Sequence, residues 1–300
     1  MKILDLQDLK NFKDNTCITI GFFDGIHIGH QKILSTLKNY ANNNNLKSVV
    51  ITFDDSVLSL FKMSKNLMDI ENKKRILSSL NIDYLLVLKV SDNFMSLSAK
   101  DFKELYLDKL NCKAMICGSD FSFAKNKEGN INFIKENTNY EVIEVNDVYL
   151  KNNKISSTYI RNLIINGNIK EANELLYEPF KIKAEVVSGL SIGRTIGFKT
   201  ANLKITNSCY LLKHGVYFGK VNIDINVYKA MINVGYNPTV NDNEILKIEV
   251  HILSFDKTIY NQEIEVIFLL YHREEKRFDS LEMLKNQLES DLNDLKNNLN

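Results

Sequence analysis

The stretch "GFFDGIHIGH", Gly21 to His30, contains two histidines around an Ile-Gly pair, between a strand-like run and a helix-like run. The apolar run "CITIGFF" predicts a short strand. The following "HQKILSTLKNYA" places four apolar residues on one helical face: Ile33, Leu34, Leu37 and Tyr40. In a doubly wound sheet, such a strand-to-helix turn directs helix N–H groups at anions. The stretch therefore predicts an α/β domain with an anion site at this turn.

The three glycines and the two histidines of the stretch each have a predicted part in that site. Gly21 and Gly25 would let the backbone turn tightly, and Gly29 would leave room for a nucleotide against the helix. His27 and His30 would hydrogen-bond phosphate oxygens and offset the charge that builds at a transferring phosphorus. The alternative is that one histidine caps the helix and the other is a surface residue.

The rest of the first half alternates between strand-like and helix-like segments. Strands are predicted at "KSVVITF", "YLLVLKV", "AMICG" and "YEVIEV", and helices at "IENKKRILSSL" and "SAKDFKELYLDKL". The last of these helices would begin at Ser98 as N-cap, with Asp101 three residues on. This alternation predicts a parallel sheet with helices on both faces.

The second half changes character after about Pro179. Five strands are predicted, at "KIKAEVV", "GVYFGKVNI", "YKAMINV", "LKIEVHIL" and "EIEVIFLLY", which favours a small antiparallel barrel or sandwich. The tail is predicted to be a helix with a leucine stripe: Leu281, Leu284, Leu288, Leu292 and Leu295. We therefore predict two domains, residues 1–178 and 179–300.

A second candidate phosphate site is "ISSTYIR", Ile155 to Arg161, which follows the last strand of the first half. Ser157 and Thr158 suit a helix N-cap, and Arg161 would lie one turn further on the same face. By contrast "KMSK", Lys62–Lys65, resembles half of the KMSKS loop of class I aminoacyl-tRNA synthetases. It falls between the second and third strands, which is the wrong place, so a solvated loop is the better interpretation.

The second half has its own constellation in "GLSIGRTIGFKTANL", Gly189 to Leu203. A glycine-rich loop can wrap polyphosphate with backbone amides, and Thr200 and Asn202 present oxygens that suit Mg²⁺. In "LKIEVHIL", the apolar residues Leu246, Ile248, Val250 and Ile252 alternate inward, which puts Glu249 and His251 on the opposite face. Glu249 is a candidate general base, the alternative being an ordinary exposed strand acid.

Taken in order, these motifs resemble the prokaryotic bifunctional riboflavin kinase/FAD synthetases from about Ile18 to about Asp291. "ICGSDFSFAKNKEGN" resembles the GxDFxFG loop of that family, and "GVYFGKV", "INVGYNPT" and "REEKRFDSLEMLKNQLESD" match its kinase domain. The resemblance implies an HxGH-type α/β FMN adenylyltransferase domain followed by a β-barrel riboflavin kinase domain. It implies ATP and Mg²⁺ as co-substrate and cofactor, riboflavin and FMN as substrates, and FAD as the final product.

The resemblance also implies roles for individual residues. In the first domain ATP would be bound by ten of them: Gly21, Phe22, Asp24, Gly25, His27, Gly29, His30, Ser157, Thr158 and Arg161. The catalytic members would be His27, His30 and Arg161, with Glu249 as base for the ribityl hydroxyl in the second domain. There ATP would contact Gly193, Arg194, Gly197, Thr200 and Asn202, and the last two would bind the metal. Asp120 and Arg273 would contact flavin or nucleotide.

The sequence departs from the family pattern at several positions. The PTAN segment has Lys199 for proline, the NIGxRPT segment has Asn237 for arginine, and FDPHP reads "FDDSV" at Phe53–Val57. In the GxDFxFG loop, Ser122 stands where arginine is common and Ala124 replaces glycine. None of these departures removes a catalytic residue, so we expect both activities.

The composition limits the classes of partner. Apolar residues make up 44% of the 300 residues, and the net charge of +1 favours neither nucleic acid nor membrane. The N-terminus has no apolar signal core, so we expect a cytoplasmic monomer or weak homo-oligomer with buried, reduced cysteines. Two alternatives stay open: another HxGH adenylyltransferase, or a flavin-binding regulator that has lost turnover.

Overall fold

The computed structural model describes residues 1–60, 65–188, 197–205, 212–237 and 245–299. The chain divides into two compact units, Met1–Tyr159 and Ile160–Asn300. The functional boundary between residues 178 and 179 stays a prediction.

The first unit is built on a six-stranded parallel sheet. Its strands are β1 (Lys2–Leu4), β2 (Thr16–Ile20), β3 (Lys47–Phe53), β4 (Tyr84–Leu88), β5 (Cys112–Gly118) and β8 (Glu141–Val145). They lie in the order β1-β4-β3-β2-β5-β8, with β2 in the centre. All five residues of β2 are buried, because helices cover both faces of the sheet. The predicted doubly wound α/β fold is confirmed.

Helices and short hairpins connect these strands. The helices are α1 (Ile28–Asn43), α2 (Ser56–Leu60), α3 (Ile70–Ser79), α4 (Asp92–Met95), α5 (Ala99–Phe102) and α6 (Ile131–Asn137). The hairpins pair β6 (Ser122–Phe123) with β7 (Gly129–Asn130), and β9 (Tyr149–Leu150) with β10 (Asn153–Lys154). Ser98 caps α5 as predicted, since its hydroxyl accepts from the Asp101 N–H at 3.1 Å. The predicted first strand was too long, because β2 ends at Ile20 and the two phenylalanines that follow lie in the loop.

Two further helices, α7 (Ser157–Ile165) and α8 (Ile169–Leu175), precede a closed antiparallel barrel. The barrel strands are β11 (Lys181–Val187), β12 (Ala201–Ile205), β13 (Gly215–Ile223), β14 (Asn226–Asn237), β15 (Ile245–Ile252) and β16 (Glu263–Arg273). Ile248, Val250 and Ile252 are buried as predicted. The sequence prediction missed β12, whose polar Thr-x-Asn start gives only a weak strand signal.

The chain closes with α9 (Leu281–Asn298), which begins after Ser280 as N-cap. Leu295 is fully buried in a cluster with Phe198, Val216, Phe218 and Met231. The first residue of the predicted stripe does not pack, because Leu281 is 55% exposed. Of the helices described, none is long and apolar enough to cross a membrane.

Three of the cysteines have the predicted surroundings. Cys17, Cys112 and Cys117 are buried and free, and burial raises the pKa of each thiol. The fourth, Cys209, lies outside the described residues.

Candidate active sites

The backbone of the "GFFDGIHIGH" loop is strained and firmly anchored. Phe23 and Ile26 have φ of 50° and 41°, in the left-handed region that glycine favours, and Gly25 has φ of 76°. The Gly21 N–H donates to the Ile51 carbonyl at 3.0 Å, at the end of β3. Gly25 makes the tight turn that was predicted. Gly21 instead leaves room for the Phe23 ring, since a Cβ at this position would lie 3.1 Å from that ring.

Asp24 joins this loop to two other parts of the unit. Its carboxylate is 1% exposed and accepts from the Leu67 N–H at 2.9 Å and the Met68 N–H at 3.2 Å. Its backbone carbonyl accepts from the Ser157 hydroxyl at 3.1 Å. Backbone donors satisfy this buried carboxylate, so Asp24 has a clear structural function within the loop.

The two histidines lie against each other at the start of α1. Their rings stack with centroids 3.7 Å apart and planes 19° from parallel. His27 is the N-cap, because its Nδ1 accepts from the His30 N–H at 3.4 Å, which assigns the ring proton to Nε2. A Cβ on Gly29 would lie 3.2 Å from the His27 ring. The glycine between the histidines therefore leaves room for the His27 ring, whether or not a nucleotide also lies there.

Both imidazoles are neutral at pH 7. Burial lowers the pKa of His27 to about 4. Burial, together with electrostatic repulsion from His27 and Lys73, lowers the pKa of His30 well below its usual value. The His30 Nδ1 atom is buried and has no hydrogen-bond partner among the described residues. An unsatisfied ring nitrogen of this kind fits a phosphate oxygen, and a neutral histidine meets it as a hydrogen-bond donor.

The "ISSTYIR" segment forms the first turn of α7, but its cap is not the predicted one. The Tyr159 N–H donates to the Ser156 hydroxyl at 3.2 Å, so Ser156 is the N-cap in place of Ser157 or Thr158. Ser157 instead ties the first turn of α7 to the Asp24 carbonyl. Thr158 is exposed, and Arg161 lies one helical turn after Ser157.

The GxDFxFG-like loop follows β5. Asp120 has a side chain that is 79% exposed and pairs with Lys154 on β10 at 3.0 Å. Lys154 also contacts Asp147 at 3.0 Å. Ala124, at the family's glycine position, has φ of 64° and ψ of −178°, which only glycine adopts without strain. The departure from glycine therefore introduces local backbone strain.

In the second unit, Glu249 lies in a row of polar side chains on three neighbouring barrel strands. It is directly opposite Asn202 on β12 and Asn233 on β14. Since directly opposed residues place their side chains on the same face, the three side chains are neighbours. The predicted outward placement of Glu249 is confirmed, because its sequence neighbours on both sides are buried in the barrel.

This row borders a cavity of about 630 Å³, a size typical of small-molecule sites. The lining includes Thr200, Asn233, Glu249, His251 and Arg273 and, on α9, Leu284 and Leu288. Lys247 contacts Glu249 within the cavity, with Nζ 2.5 Å from Oε1. The combination of an apolar wall, a carboxylate and nearby cations suits a flat, partly apolar substrate that carries hydroxyl groups.

Arg273 is firmly placed at the edge of this cavity. Its Nη2 atom lies 2.6 Å from the Asp291 Oδ2 on α9, and its Nε donates to both carboxylate oxygens. Asp291 is fully buried. Burial alone would raise its pKa, but the hydrogen bonds from Arg273 and Gln287 and the charges of Arg273 and His272 lower it overall. The pair therefore holds α9 against β16.

The predicted metal ligands lie at the start of β12, Thr200 just before the strand and Asn202 within it, and the lysine departure, Lys199, precedes them. His251 Nδ1 donates to the Lys199 carbonyl at 2.9 Å, and the Lys199 ammonium reaches the Asp256 carbonyl at 3.3 Å. Gly197 is exposed with φ of 87°. Gly193 and Arg194 lie outside the described residues, as do three residues of "KMSK" and the side chain of Asn237.

Three residues of these sites carried no usable signal in the sequence. Lys73 and Asp291 stand among many other charged residues on amphipathic helices, yet both are at least 98% buried. Lys247 has only its two-residue spacing from Glu249, which is common on exposed strands. The one available hint was the alternation of "LKIEVHIL", which puts Lys247 and Glu249 on the same face.

Comparison with known proteins assigns a family to each of the two units. The FAD synthetase family model matches residues 9–159, and the riboflavin kinase family model matches residues 176–299. A protein from Buchnera aphidicola named bifunctional riboflavin kinase/FMN adenylyltransferase is 36% identical to this chain, and the alignment covers 100% of this chain and 99% of the relative. A protein of the same name from Escherichia coli is 31% identical, and the alignment covers 97% of this chain and 96% of the relative.

A solved Streptococcus pneumoniae chain, described as a macrolide-efflux protein, has a TM-score of 0.90 and 33% identity. The alignment covers 98% of this chain and 99% of that one. The predicted enzyme class, a flavin kinase joined to a flavin nucleotidyltransferase, is confirmed. The chain belongs to the bifunctional riboflavin kinase/FMN adenylyltransferase family.

Proposed function

We propose that the barrel transfers the γ-phosphoryl group of ATP to riboflavin, giving FMN and ADP. The first unit then joins the AMP part of a second ATP to FMN, giving FAD and pyrophosphate. The observation that carries the first step is the position of Glu249, between Asn202 and Asn233 and beside a cavity of about 630 Å³.

In the kinase step, Glu249 is proposed to accept the proton of the terminal ribityl hydroxyl as its oxygen attacks the γ-phosphorus. Most of the rate enhancement in phosphoryl transfer comes from positioning and charge neutralisation. Asn202 and Asn233 flank Glu249 on the two neighbouring strands, and Arg273 is held by Asp291 at the edge of the cavity.

The donor set at the start of β12 fits Mg²⁺. Thr200 and Asn202 offer a hydroxyl and an amide oxygen two residues apart, and Mg²⁺ prefers a few such hard ligands together with substrate phosphates. When bound, the ion would neutralise charge on the phosphates of ATP. Thr200 and Asn202 would hold it beside Glu249, because Asn202 and Glu249 are direct cross-strand neighbours.

In the adenylyl transfer step, the phosphate of FMN attacks the α-phosphorus of ATP and pyrophosphate leaves. His27 and His30 are proposed to donate hydrogen bonds to phosphate oxygens, as neutral groups whose pKa values rise when the anion binds. The N–H groups of the first turn of α1 add their partial positive charge. Thr158 and Arg161 are proposed to bind phosphate, and Asp120 is proposed to contact flavin or nucleotide. Ser157 supports the loop, because its hydroxyl donates to the Asp24 carbonyl.

The test uses riboflavin, ATP and Mg²⁺ with the full chain and separates FMN from FAD by chromatography. E249Q should lower FMN formation by about 10²-fold or more while FAD formation from supplied FMN continues. H30A should give the opposite pattern. E263Q, which changes an exposed acid at the start of β16, is the matched control for the barrel.

Each result has a defined meaning. Unchanged FMN formation in E249Q would remove the proposed base, and unchanged FAD formation in H30A would remove the proposed adenylyltransferase site. If the unmodified chain binds flavin but forms neither product, it is a binding protein and the proposal fails. A cytoplasmic location and a state of monomer or weak homo-oligomer belong to the same proposal, and sedimentation of the purified chain tests the second.

A further inference from the structure

A lysine lies directly behind the strained "GFFDGIHIGH" loop. Lys73 is on α3 and its side chain is among the largest that are fully buried, with 2% exposure. Its Nζ donates to the Phe22 carbonyl at 2.6 Å and lies 3.5 Å from the Thr52 hydroxyl. The ammonium also sits 4.2 Å from the centre of the Phe22 ring.

Burying the Lys73 ammonium costs free energy, so its buried position needs an explanation in terms of function. Burial lowers the pKa of Lys73 to about 8, while the charges of Asp24 and Asp55 act in the opposite direction. The positive charge of Lys73 in turn contributes to the low pKa of His30. The titratable groups around the ammonium are therefore Asp24 on the loop, Asp55 after β3 and the neutral histidine pair at the start of α1.

The loop depends both on the hydrogen bond from Lys73 to the Phe22 carbonyl and on the positive charge of Lys73. Phe23 and Ile26 hold positive φ values that cost free energy, so the loop keeps this shape only where neighbouring groups fix it. The Phe22 carbonyl, immediately before Phe23, accepts from Lys73 and also from the Thr52 hydroxyl at 3.1 Å. The two histidines are neutral, so they do not themselves supply positive charge for a leaving pyrophosphate.

We propose that Lys73 is a positioning residue for the adenylyl transfer reaction. Its ammonium holds the Phe22 carbonyl, and so the loop and its two histidines, in the reactive geometry. Its buried positive charge favours the negative charge that develops as pyrophosphate leaves. The inference rests on the proposed role of the histidines and adds a residue that neither sequence motif contains.

The experiment measures kcat and KM for FAD formation from FMN and ATP, from pH 6.5 to 9.5, in the full chain. We compare K73M, K73R and K74M with the unmodified chain. Lys74 is the matched control, because it is the next residue on α3 and pairs with Glu71 at 2.8 Å on the surface. FMN formation from riboflavin reports in the same samples whether the barrel is intact.

K73M should lower kcat for FAD formation by at least tenfold with a smaller change in KM, while K74M stays within twofold. In the unmodified chain kcat should fall as the pH rises through about 8, where Lys73 loses its proton. K73R should recover part of the rate and move that alkaline limb to higher pH, because arginine stays charged.

Three results would overturn the inference. The first is a K73M rate within twofold of the K74M rate. The second is a K73R enzyme that is active but keeps the alkaline limb at the same pH, which would limit Lys73 to packing. The third is a pH profile of the unmodified chain that is flat between 7 and 9. If H30A retained FAD formation while K73M lost it, the histidine assignment would fail separately from that of Lys73.

Discussion

Replacing Asp291 with asparagine should weaken the barrel and leave the first unit unaffected. Asp291 is completely buried and accepts hydrogen bonds from Arg273 through both carboxylate oxygens, and from Gln287 at 2.8 Å. Arg273 is itself 14% exposed, so water can solvate its charge only in part. D291N keeps the shape of the side chain but leaves that guanidinium without its counter-charge.

The size of the effect follows from this burial. Removing one partner of a buried ion pair typically costs about 3–5 kcal/mol, and the slight exposure of Arg273 places the expected value near 3 kcal/mol. For a unit of this size, 1 kcal/mol corresponds to about 3 °C in Tm, so we expect a decrease of about 10 °C. The pKa of Asp291 is lowered in the fold, so this stabilisation is present above the unfolded value of 3.8 and is lost as the pH falls below it.

The assay is the temperature at which half of the riboflavin kinase activity survives a fixed incubation. FAD formation from FMN, measured on the same heated samples, shows whether the first unit is affected. D294N is the control, because Asp294 lies on the same helix with 49% exposure and reaches His272 only at 3.6 Å. A D291N midpoint within 2 °C of the D294N midpoint would refute the argument, since it would mean that the buried pair stabilises the barrel no more than a surface contact does.

Three other predictions concern the first unit. A124G should raise its free energy of unfolding by about 1 kcal/mol, measured by urea titration, because relief of the backbone strain exceeds the entropy cost of glycine. G29A should reduce FAD formation at least tenfold with FMN formation unchanged, because the new Cβ would lie 3.2 Å from the His27 ring; equal rates would contradict this. Since the pKa of His27 is lowered to about 4, stability of the unit should fall by up to about 3 kcal/mol as the pH decreases from 6.5 to 4, and H27N should show a smaller decrease.

The helices and strands with a strong apolar periodicity were those that could be predicted from the sequence. The burial of Ile248, Val250 and Ile252 follows from strict alternation, and α1 follows from apolar residues at helical spacing. The errors occur where polar groups compete for backbone partners. Ser156, Ser157 and Thr158 could each cap a helix from their chemistry alone, and only the observed bond from the Tyr159 N–H identifies Ser156 as the cap.

The same limit applies to the candidate sites. The motifs identified the loop around His27 and His30, and they identified Glu249 on the outward face of its strand. They did not show that the two imidazoles stack, or that both lose their charge through burial. The pKa of a group depends on neighbours from elsewhere in the chain, so the spacing of residues in the sequence carries little information about it.

The sequence by itself determined the family and the order of the two folds, and it located the motifs that we propose to bind phosphate, because those properties depend on residue type and local spacing. The tertiary structure alone decided which charges are buried and what holds them. Lys73 lies 51 residues from its carbonyl partner Phe22, and Asp291 lies 18 residues from Arg273. Neither partnership has a local pattern, since each arises only when separate elements pack and exclude water between them.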